Sequence, residues 1–124
     1  MLTKGLTHRI NRKVNLDQLA TTVGSGTLPV LATPALIAAL EEAASLAVAP
    51  HLPEGSTTVG GHIEVSHLKP TGMETSFYAE AELIEIDRSK LTFTLTAYDE
   101  TGQIGKGSHI RFIVDGEKFM ENIK

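Results

Sequence analysis

The chain has 124 residues, of which 41% are hydrophobic and 21% are charged, and its net charge at pH 7 is −4. This length and composition predict one compact domain over residues 1–124 and exclude disordered and fibrous proteins. The mild acidity provides no basic surface for nucleic acid or for an anionic membrane. Because the chain contains no cysteine, disulfides, thiolate metal sites and cysteine nucleophiles are excluded as well.

The first residues do not have the pattern of a targeting segment. Residues 1–14 contain four Lys or Arg side chains, but the apolar run that a secretory signal requires does not follow them. The longest apolar stretch, residues 28–48, is interrupted by Pro29, Pro34 and two glutamates, so it is unsuited to a membrane span. A cytoplasmic protein is the default expectation.

The N-terminal quarter predicts a strand, a short turn and a loop. Residues 5–14 alternate in hydropathy, with His8 and Ile10 on the same side, which is typical of a strand. Asn15 is expected to cap a short helical turn. Residues 23–26 (Val-Gly-Ser-Gly) are expected to form a flexible loop, because their glycines lack the spacing of a nucleotide-binding fingerprint.

Residues 32–49 predict one buried helix around which the rest of the chain is organised. Thr33 is expected to be its N-cap, and Pro34 suits the first helical position because its missing N–H costs nothing there. Apolar residues then recur at spacings of one, three or four, which defines one buried stripe. Pro50 and Pro53 are expected to end the helix. The stripe consists of Leu36, Ile37, Leu40, Ala44, Ala47 and Val48.

Two adjacent glutamates in this helix are not equivalent. At about 100° per residue, Glu41 lies roughly 70° from the centre of the apolar stripe, whereas Glu42 points nearly opposite to it. Glu42 is therefore expected to face solvent. A carboxylate at the edge of the core loses hydration unless a partner compensates, so Glu41 is either a partly exposed residue on the helix shoulder or a functional group.

The remainder of the chain predicts four strands, over residues 57–68, 75–87, 90–98 and 103–114. Asp-containing turns separate the last three, which indicates antiparallel hairpins. Threonines alternate with Leu91, Phe93 and Leu95, which predicts a sheet with one dry face and one wet face. With the N-terminal strand, this pattern predicts an α+β domain in which an antiparallel sheet wraps around one long central helix.

His67 ends the first of these four strands. By simple alternation it shares the core-facing side with Val59, Ile63 and Val65. An imidazole at the edge of an apolar face is either a structural histidine or an acid–base group near neutral pH. His62 falls on the opposite side of the strand, and no metal site is predicted. The remaining histidines have no ligand-like spacing: His8, His51 and His109.

Five strings along the chain carry a resemblance to a known family. They are VGSG at residues 23–26, ATPALIAALEEAA at 32–44, TTVG at 57–60, Val65-Ser66-His67 with Pro70 and Gly72-Met73, and G-x-G-x-H-x-R-F at 105–112. Their order and spacing, over residues 15–114, resemble the hotdog-fold acyl-CoA thioesterases. Within that group the chain is most similar to the fluoroacetyl-CoA thioesterase-like family.

The resemblance implies a single hotdog domain, a homodimer or dimer of dimers, and an acyl-CoA substrate bound near the subunit interface. It also implies that Thr33, Glu41 and His67 act on the thioester, with no cofactor beyond the CoA of the substrate. Thr33 and Glu41 are eight residues apart, about 12 Å along a helix, so a substrate or a partner residue has to bridge them. Glu41 is then either a nucleophile or a general base.

Three further residues are expected to contact the substrate. Gly60 and Gly61 interrupt a strand, which marks the close approach of a ligand such as the pantetheine arm or of the facing helix. Arg111 alternates with Phe112 and therefore faces the other way. Its guanidinium either pairs with a carboxylate, reaches a CoA phosphate or forms a surface salt bridge.

The expected substrate is a general one. The fluoroacetyl-CoA enzyme uses aromatic side chains in its lid, whereas this chain has no aromatic residue before Phe77. A thioesterase for short- or medium-chain acyl-CoA is therefore expected, without selectivity for fluoroacetyl-CoA. The alternative is a non-catalytic hotdog module that binds acyl-CoA or a small ligand, because a fold alone does not determine a function.

Overall fold

The computed structural model describes residues 1–123, which form one antiparallel sheet and one main helix. The elements in chain order are β1 (Thr7–Lys13), α1 (Ala20–Val23), α2 (Thr33–Val48), β2 (Ser56–His67), β3 (Ser76–Asp87), β4 (Lys90–Asp99), β5 (Gly102–Asp115) and α3 (Gly116–Glu121). The strand order in the sheet is β1-β3-β4-β5-β2. All neighbouring strands are antiparallel, as the α+β prediction requires.

Helix α2 lies on one face of the sheet and packs mainly against β3 and β1. The predicted stripe is largely confirmed, although Ile37 is only half-buried. Ala39 and Ala43 take part in the core instead, and alanine contributes too little hydropathy for periodicity to place them. Pro50 lies in the 3₁₀ turn that follows the helix. The buried residues of α2 are Leu36, Ala39, Leu40, Ala43, Ala44, Ala47 and Val48.

Strands β3 and β4 supply the sheet side of the core. Alternate residues of both strands are buried beneath α2. Thr94, which lies between two buried residues of β4, is exposed, as the alternation in the sequence predicted. The β3–β4 hairpin turns at Arg88, whose φ of 57° is a left-handed conformation. The buried residues are Phe77, Ala79, Ala81 and Leu83 in β3 and Leu91, Phe93, Leu95 and Ala97 in β4.

The alternation of side chains along β2 differs from the prediction. The register between β2 and β5 shifts between Gly60 and His62, which is a β-bulge that leaves one extra residue in β2. Because one extra residue reverses the alternation, Val59 lies on the opposite side of the strand from His67, and the prediction for Val59 was wrong. Ile63 and Val65 share the inner side with His67 and are half-buried.

The segments before the helix and after the sheet are also defined. Asn15 caps a 3₁₀ turn over Leu16–Gln18 through a capping box, which confirms the predicted cap. The short helices α1 and α3 were not predicted, because four and six residues are too few for a periodic signal. None of the helices within residues 1–123 combines the length and the hydropathy that crossing a membrane requires.

Candidate active site

Thr33 and His67 form a hydrogen-bonded pair at one end of the sheet. Thr33 is the first residue of α2, His67 is the last residue of β2, and the Thr33 hydroxyl lies 2.8 Å from Nδ1 of His67. The expectation that Thr33 is the N-cap was wrong. Ala32 occupies the cap position, and because alanine has no polar side chain, no side chain caps the helix.

The environment of His67 favours the neutral form of its imidazole. Burial lowers its pKa below the ordinary value of 6.5, and a backbone interaction with Lys69 opposes this effect. Its second ring nitrogen, Nε2, is buried and has no hydrogen-bond partner within residues 1–123. A buried polar atom without a partner is costly, so this nitrogen is available for a ligand or for another chain.

A cavity of about 300 Å³ opens beside this pair. Most of its wall is aliphatic, and Thr33, His67, Ser25 and Lys69 provide its polar groups. The apolar lining residues are Ala20, Val30, Leu31, Leu68 and Pro70. This cavity joins a hydroxyl and an imidazole to an apolar space large enough for a small acyl group.

A larger depression lies elsewhere on the molecule. It measures about 570 Å³ and is lined by residues of β1, β3 and β4, among them the stacked pair Tyr78 and Tyr98. None of the predicted site residues lines it. Size alone therefore does not select the candidate site, and the chemistry of the lining residues favours the smaller cavity.

The two glutamates of α2 differ as the helix periodicity predicted. Glu42 is exposed and forms a salt bridge of 2.7 Å with Arg12. Glu41 is half-buried and lies against β2, where a Cβ atom built on Gly60 would be 3.0 Å from its Oε2. Gly60 therefore lets the helix carboxylate approach the strand, in agreement with the expectation of a close approach by the helix.

Arg111 lies in the interior beside Glu41. Only 8% of the residue is exposed, so it does not form the surface salt bridge that was one of the alternatives. Its Nε donates to Oγ1 of Thr58 at 2.8 Å, and its Nη2 donates to the Thr58 carbonyl at 2.9 Å. Burial lowers the pKa of Arg111, and the negative charge of Glu41 opposes that shift.

His109 is a member of this cluster that the sequence did not single out. It is 1% exposed, its Nδ1 lies 2.7 Å from the His62 carbonyl, and its Nε2 lies 3.2 Å from Nη1 of Arg111. The spacing of two between His109 and Arg111 on a strand places both side chains on one face. This spacing is visible in the sequence, but His109 was considered there only as a metal ligand.

Gly61 has a local packing role. A Cβ atom at this position would lie 2.5 Å from Cε2 of the Phe112 ring on the neighbouring strand. The absence of a side chain therefore makes room for Phe112, which packs on the outer side of the sheet, away from Arg111.

The predicted site residues thus form two groups within one chain. Thr33 and His67 make one group, and Glu41, Gly60 and Arg111 make the other. Gly60 and His67 are seven positions apart in β2, roughly 20 Å at about 3.3 Å per residue, and Thr33 and Glu41 are about 12 Å apart along α2. Within the described chain, Thr33 and His67 are bonded to each other, and no hydrogen bond joins either of them to Glu41.

Comparison with known sequences identifies the family. The family model described as fluoroacetyl-CoA-specific thioesterase matches residues 14–117. The fluoroacetyl-CoA thioesterase of Streptantibioticus cattleyicolor is 30% identical over 95 residues, which are 77% of this chain and 68% of that protein. Both matches agree with the resemblance drawn from the sequence strings.

Comparison with solved structures identifies the same fold. The fluoroacetyl-CoA thioesterase FlK superposes with a TM-score of 0.93 at 24% identity, over 99% of this chain and 96% of that chain. A thioesterase superfamily member from Thermus thermophilus gives 0.90 at 22% identity, over 98% and 90% of the two chains. A hot-dog-like protein from Thermanaerovibrio acidaminovorans gives 0.89 at 19% identity, over 98% and 90%. The chain therefore belongs to the fluoroacetyl-CoA-specific thioesterase family and is a thioester hydrolase with the hotdog fold.

Proposed function

We propose that the protein hydrolyses a short- or medium-chain acyl-CoA to the free acid and CoA, and that Thr33, Glu41 and His67 act on the thioester. The observation that carries this proposal is the hydrogen bond between Thr33 and His67 beside an aliphatic cavity. The family match and the fluoroacetyl-CoA thioesterase relative support acyl-CoA as the substrate class.

The lining of the cavity supports a simple acyl chain. Val30, Leu31 and Pro70 give an aliphatic wall, and no aromatic residue precedes Phe77 in the sequence. Aliphatic walls discriminate between chains by only about 1–3 kcal/mol per methylene. We therefore expect graded activity over several short and medium chains, without selectivity for fluoroacetyl-CoA.

A homodimer would complete the site. Strand β2 lies at one edge of the sheet, and within residues 1–123 no strand pairs with its free edge. If a second copy pairs with β2 antiparallel about a two-fold axis at Glu64, and Gly61 is skipped as the bulge residue as it is in the pairing with β5, Gly60 of the partner subunit lies opposite His67. Paired residues share one face of a sheet, so Glu41 of the partner subunit would lie next to His67. The unpartnered Nε2 of His67 supports this arrangement.

The chemistry follows from these positions. The first turn of α2 has no side-chain cap, so its free N–H groups are available to stabilise the oxyanion that forms on the thioester carbonyl. In the proposed mechanism the Thr33 hydroxyl donates to Nδ1 of His67, so that Nε2 carries the ring proton and donates it in a hydrogen bond to the reacting thioester. Glu41 supplies the remaining basic oxygen.

Glu41 has two routes to the same products. As a general base it takes a proton from a water that attacks the carbonyl carbon; the C–S bond then breaks, and the proton passes to the CoA sulfur. As a nucleophile it attacks the carbonyl carbon directly and expels CoA, and water then cleaves the resulting anhydride to the acid and the free carboxylate. Both routes consume one water and require Glu41.

The decisive experiment is thiol release from a panel of acyl-CoAs by wild-type protein, Glu41→Gln and Glu42→Gln. We expect wild-type turnover on short and medium chains and a loss of roughly 100-fold or more in kcat for Glu41→Gln. Glu42→Gln is the matched control, because it removes only an exposed ion pair with Arg12. Its activity should stay within about twofold of wild type.

Two results would contradict the proposal. Wild-type protein that binds CoA but releases no thiol from any member of the panel would favour the non-catalytic binding module. Equal losses in Glu41→Gln and Glu42→Gln would mean that the half-buried carboxylate has no special role.

A further inference from the structure

A carboxylate, an imidazole and a guanidinium converge on Gly60. A Cβ atom built on this glycine would lie 3.0 Å from Oε2 of Glu41, 3.4 Å from Cε1 of His109 and 3.7 Å from Nη1 of Arg111. In the structure of residues 1–123, Glu41 and Arg111 face each other across this point without a direct hydrogen bond. The three groups come from α2 and β5, and the Gly60 backbone of β2 lies between them.

The guanidinium has a fixed orientation. Thr58 accepts hydrogen bonds from Nε and Nη2 through its hydroxyl and its carbonyl. The third anchor is His109, whose Nε2 lies 3.2 Å from Nη1. Because a guanidinium carries only donors, Nε2 of His109 must be the acceptor. Three anchors on three nitrogens leave the plane of the group no freedom to rotate.

The same contacts determine the protonation of His109. Its Nδ1 lies 2.7 Å from the His62 carbonyl, which can only accept, so Nδ1 carries the proton. Nε2 accepts from Arg111 and is therefore unprotonated. The ring is neutral and is held in the Nδ1–H tautomer by its two partners.

The accepting carbonyl is provided by the bulge in β2. His62 is the residue at which pairing with β5 resumes after the register shift. A bulge redirects the backbone locally, and here the His62 carbonyl meets the imidazole. The bulge therefore accounts both for the close approach at Gly60 and for the tautomer of His109.

We propose that His109 is a positioning residue for Glu41 and acts through Arg111. Its neutral imidazole holds the guanidinium beside the carboxylate, and the attraction between the two charges fixes the carboxylate in its reactive position. Such attraction is strong where water is excluded, and an error of about 1 Å in the position of a reacting group can lower a rate roughly 100-fold. This role rests on the proposed function of Glu41.

The surroundings of His109 favour its neutral form. Burial lowers its pKa, the His62 carbonyl opposes this shift, the charge of Arg111 adds to the lowering, and Glu41 opposes it again. On β4 the facing group is Phe93, whose ring centre lies 6.2 Å from that of the imidazole. A protonated ring would lose the hydrogen bond from Arg111 and place two cations side by side.

Two substitutions separate this role from a structural one. In His109→Asn the short amide reaches the place of Nδ1, so it keeps the bond to the His62 carbonyl and loses the acceptor for Arg111. In His109→Gln the longer amide places an oxygen where Nε2 was, so it keeps the acceptor. His8→Gln is the control, because His8 is exposed on β1.

With the best acyl-CoA of the panel, we expect His109→Asn to lower kcat about tenfold or more at nearly unchanged KM, because it affects a transition-state contact. His109→Gln should return kcat to within about threefold of wild type, and His8→Gln should match wild type. Equal activity of the Asn and Gln variants, whether both are high or both are low, would overturn the proposal.

A second measurement does not depend on activity. Imidazole ¹⁵N chemical shifts of the wild-type protein should report an Nδ1–H tautomer for His109, and the Nε2–H tautomer would overturn the proposal even if neither variant folds. This measurement also separates the two hypotheses. A protein that is inactive on every acyl-CoA refutes the thioesterase proposal, whereas an active enzyme with the wrong tautomer refutes only the role of His109.

Discussion

The hydroxyl of Thr33 lies 2.8 Å from Nδ1 of His67, a contact between residues 34 positions apart that joins the start of α2 to the end of β2. The contact fixes the side chain of each residue at the mouth of the aliphatic cavity. The N-cap of the helix is Ala32, so the Thr33 hydroxyl does not cap the helix, and the N–H groups of the first turn have no side-chain partner.

Removal of the Thr33 hydroxyl should therefore affect activity more than helix stability. We expect Thr33→Ala to lower kcat roughly 10- to 100-fold, because His67 loses the hydrogen-bond partner that orients its ring. Thr33→Ser keeps a hydroxyl at the same place and should retain most of the activity. Steady-state kinetics with the best acyl-CoA tests this pair, and equal kinetics for the Ala and Ser variants would contradict the role of the hydroxyl.

The separation of Glu41 from His67 within one chain predicts complementation between subunits. If each site uses Thr33 and His67 of one subunit and Glu41 of the other, both sites of a Thr33→Ala homodimer and both sites of a Glu41→Gln homodimer are impaired. In a mixed dimer one site carries both substitutions and the other carries neither. We expect mixing by co-expression to restore up to about half of the wild-type activity per mixed dimer.

The control for this experiment is the molecular mass of the protein in solution. Light scattering should give at least twice the chain mass of 13.3 kDa at micromolar concentration, because an exposed edge strand with half-buried apolar neighbours favours pairing. A monomeric mass would contradict the dimer. A dimer whose mixed form is as inactive as its parents would instead show that Glu41 serves the site of its own subunit.

The sequence predicted the parts of this molecule that depend on local patterns. Hydropathy alternation gave the five strands to within two residues at each end, and a period of 3.6 gave the main helix and separated Glu41 from Glu42. Each of these features depends on residues that are close together in the sequence, so one sequence is enough to predict it.

The parts that depend on register were not predictable in the same way. The bulge after Gly60 reversed the side of Val59, because one inserted residue changes the parity of a strand; the glycine pair at this place was interpreted as a close approach and not as a bulge. The pairing of Thr33 with His67 depends on which helix end lies next to which strand end, whereas the spacing of His109 and Arg111 on one strand was visible in the sequence. The interpretation of Thr33 as a cap was wrong by one residue, because the helix is capped by Ala32 and Thr33 is its first residue.

Gly60 should be intolerant of a side chain for a functional reason. Gly60→Ala would place a Cβ atom 3.0 Å from Oε2 of Glu41, so the carboxylate has to move. We expect kcat to fall about tenfold or more, with a smaller effect on the melting temperature. Gly72→Ala is the matched control, because its Cβ would meet nothing closer than the Thr75 hydroxyl at 3.9 Å. Full activity of Gly60→Ala would mean that Glu41 does not need its present position.

The buried neutral imidazole of His109 predicts a pH dependence of stability. The pKa of His109 is lowered by burial from its ordinary value of 6.5. Between 6.5 and the lowered pKa, the unfolded chain binds a proton that the folded chain does not, so the free energy of unfolding rises with pH in this window. The contribution of His109 to the free energy of unfolding is therefore fully present above pH 6.5, and it is lost as the pH falls through the lowered pKa.

The measurement is the melting temperature of wild type and of His109→Gln between pH 7.5 and about 4.5, a window that spans the ordinary histidine pKa. The wild type should lose more stability than the variant as the pH falls, because the glutamine binds no proton. His67 has a lowered pKa as well, so a part of the slope should persist in the variant. The lowered pKa of Asp99, where hydrogen bonds from Thr101 and Thr71 outweigh the opposing effect of burial, acts only below about 3.8 and does not interfere. Parallel curves for the two proteins would mean that His109 titrates alike in the folded and unfolded chains, and that its buried bond to Arg111 does not depend on a neutral ring.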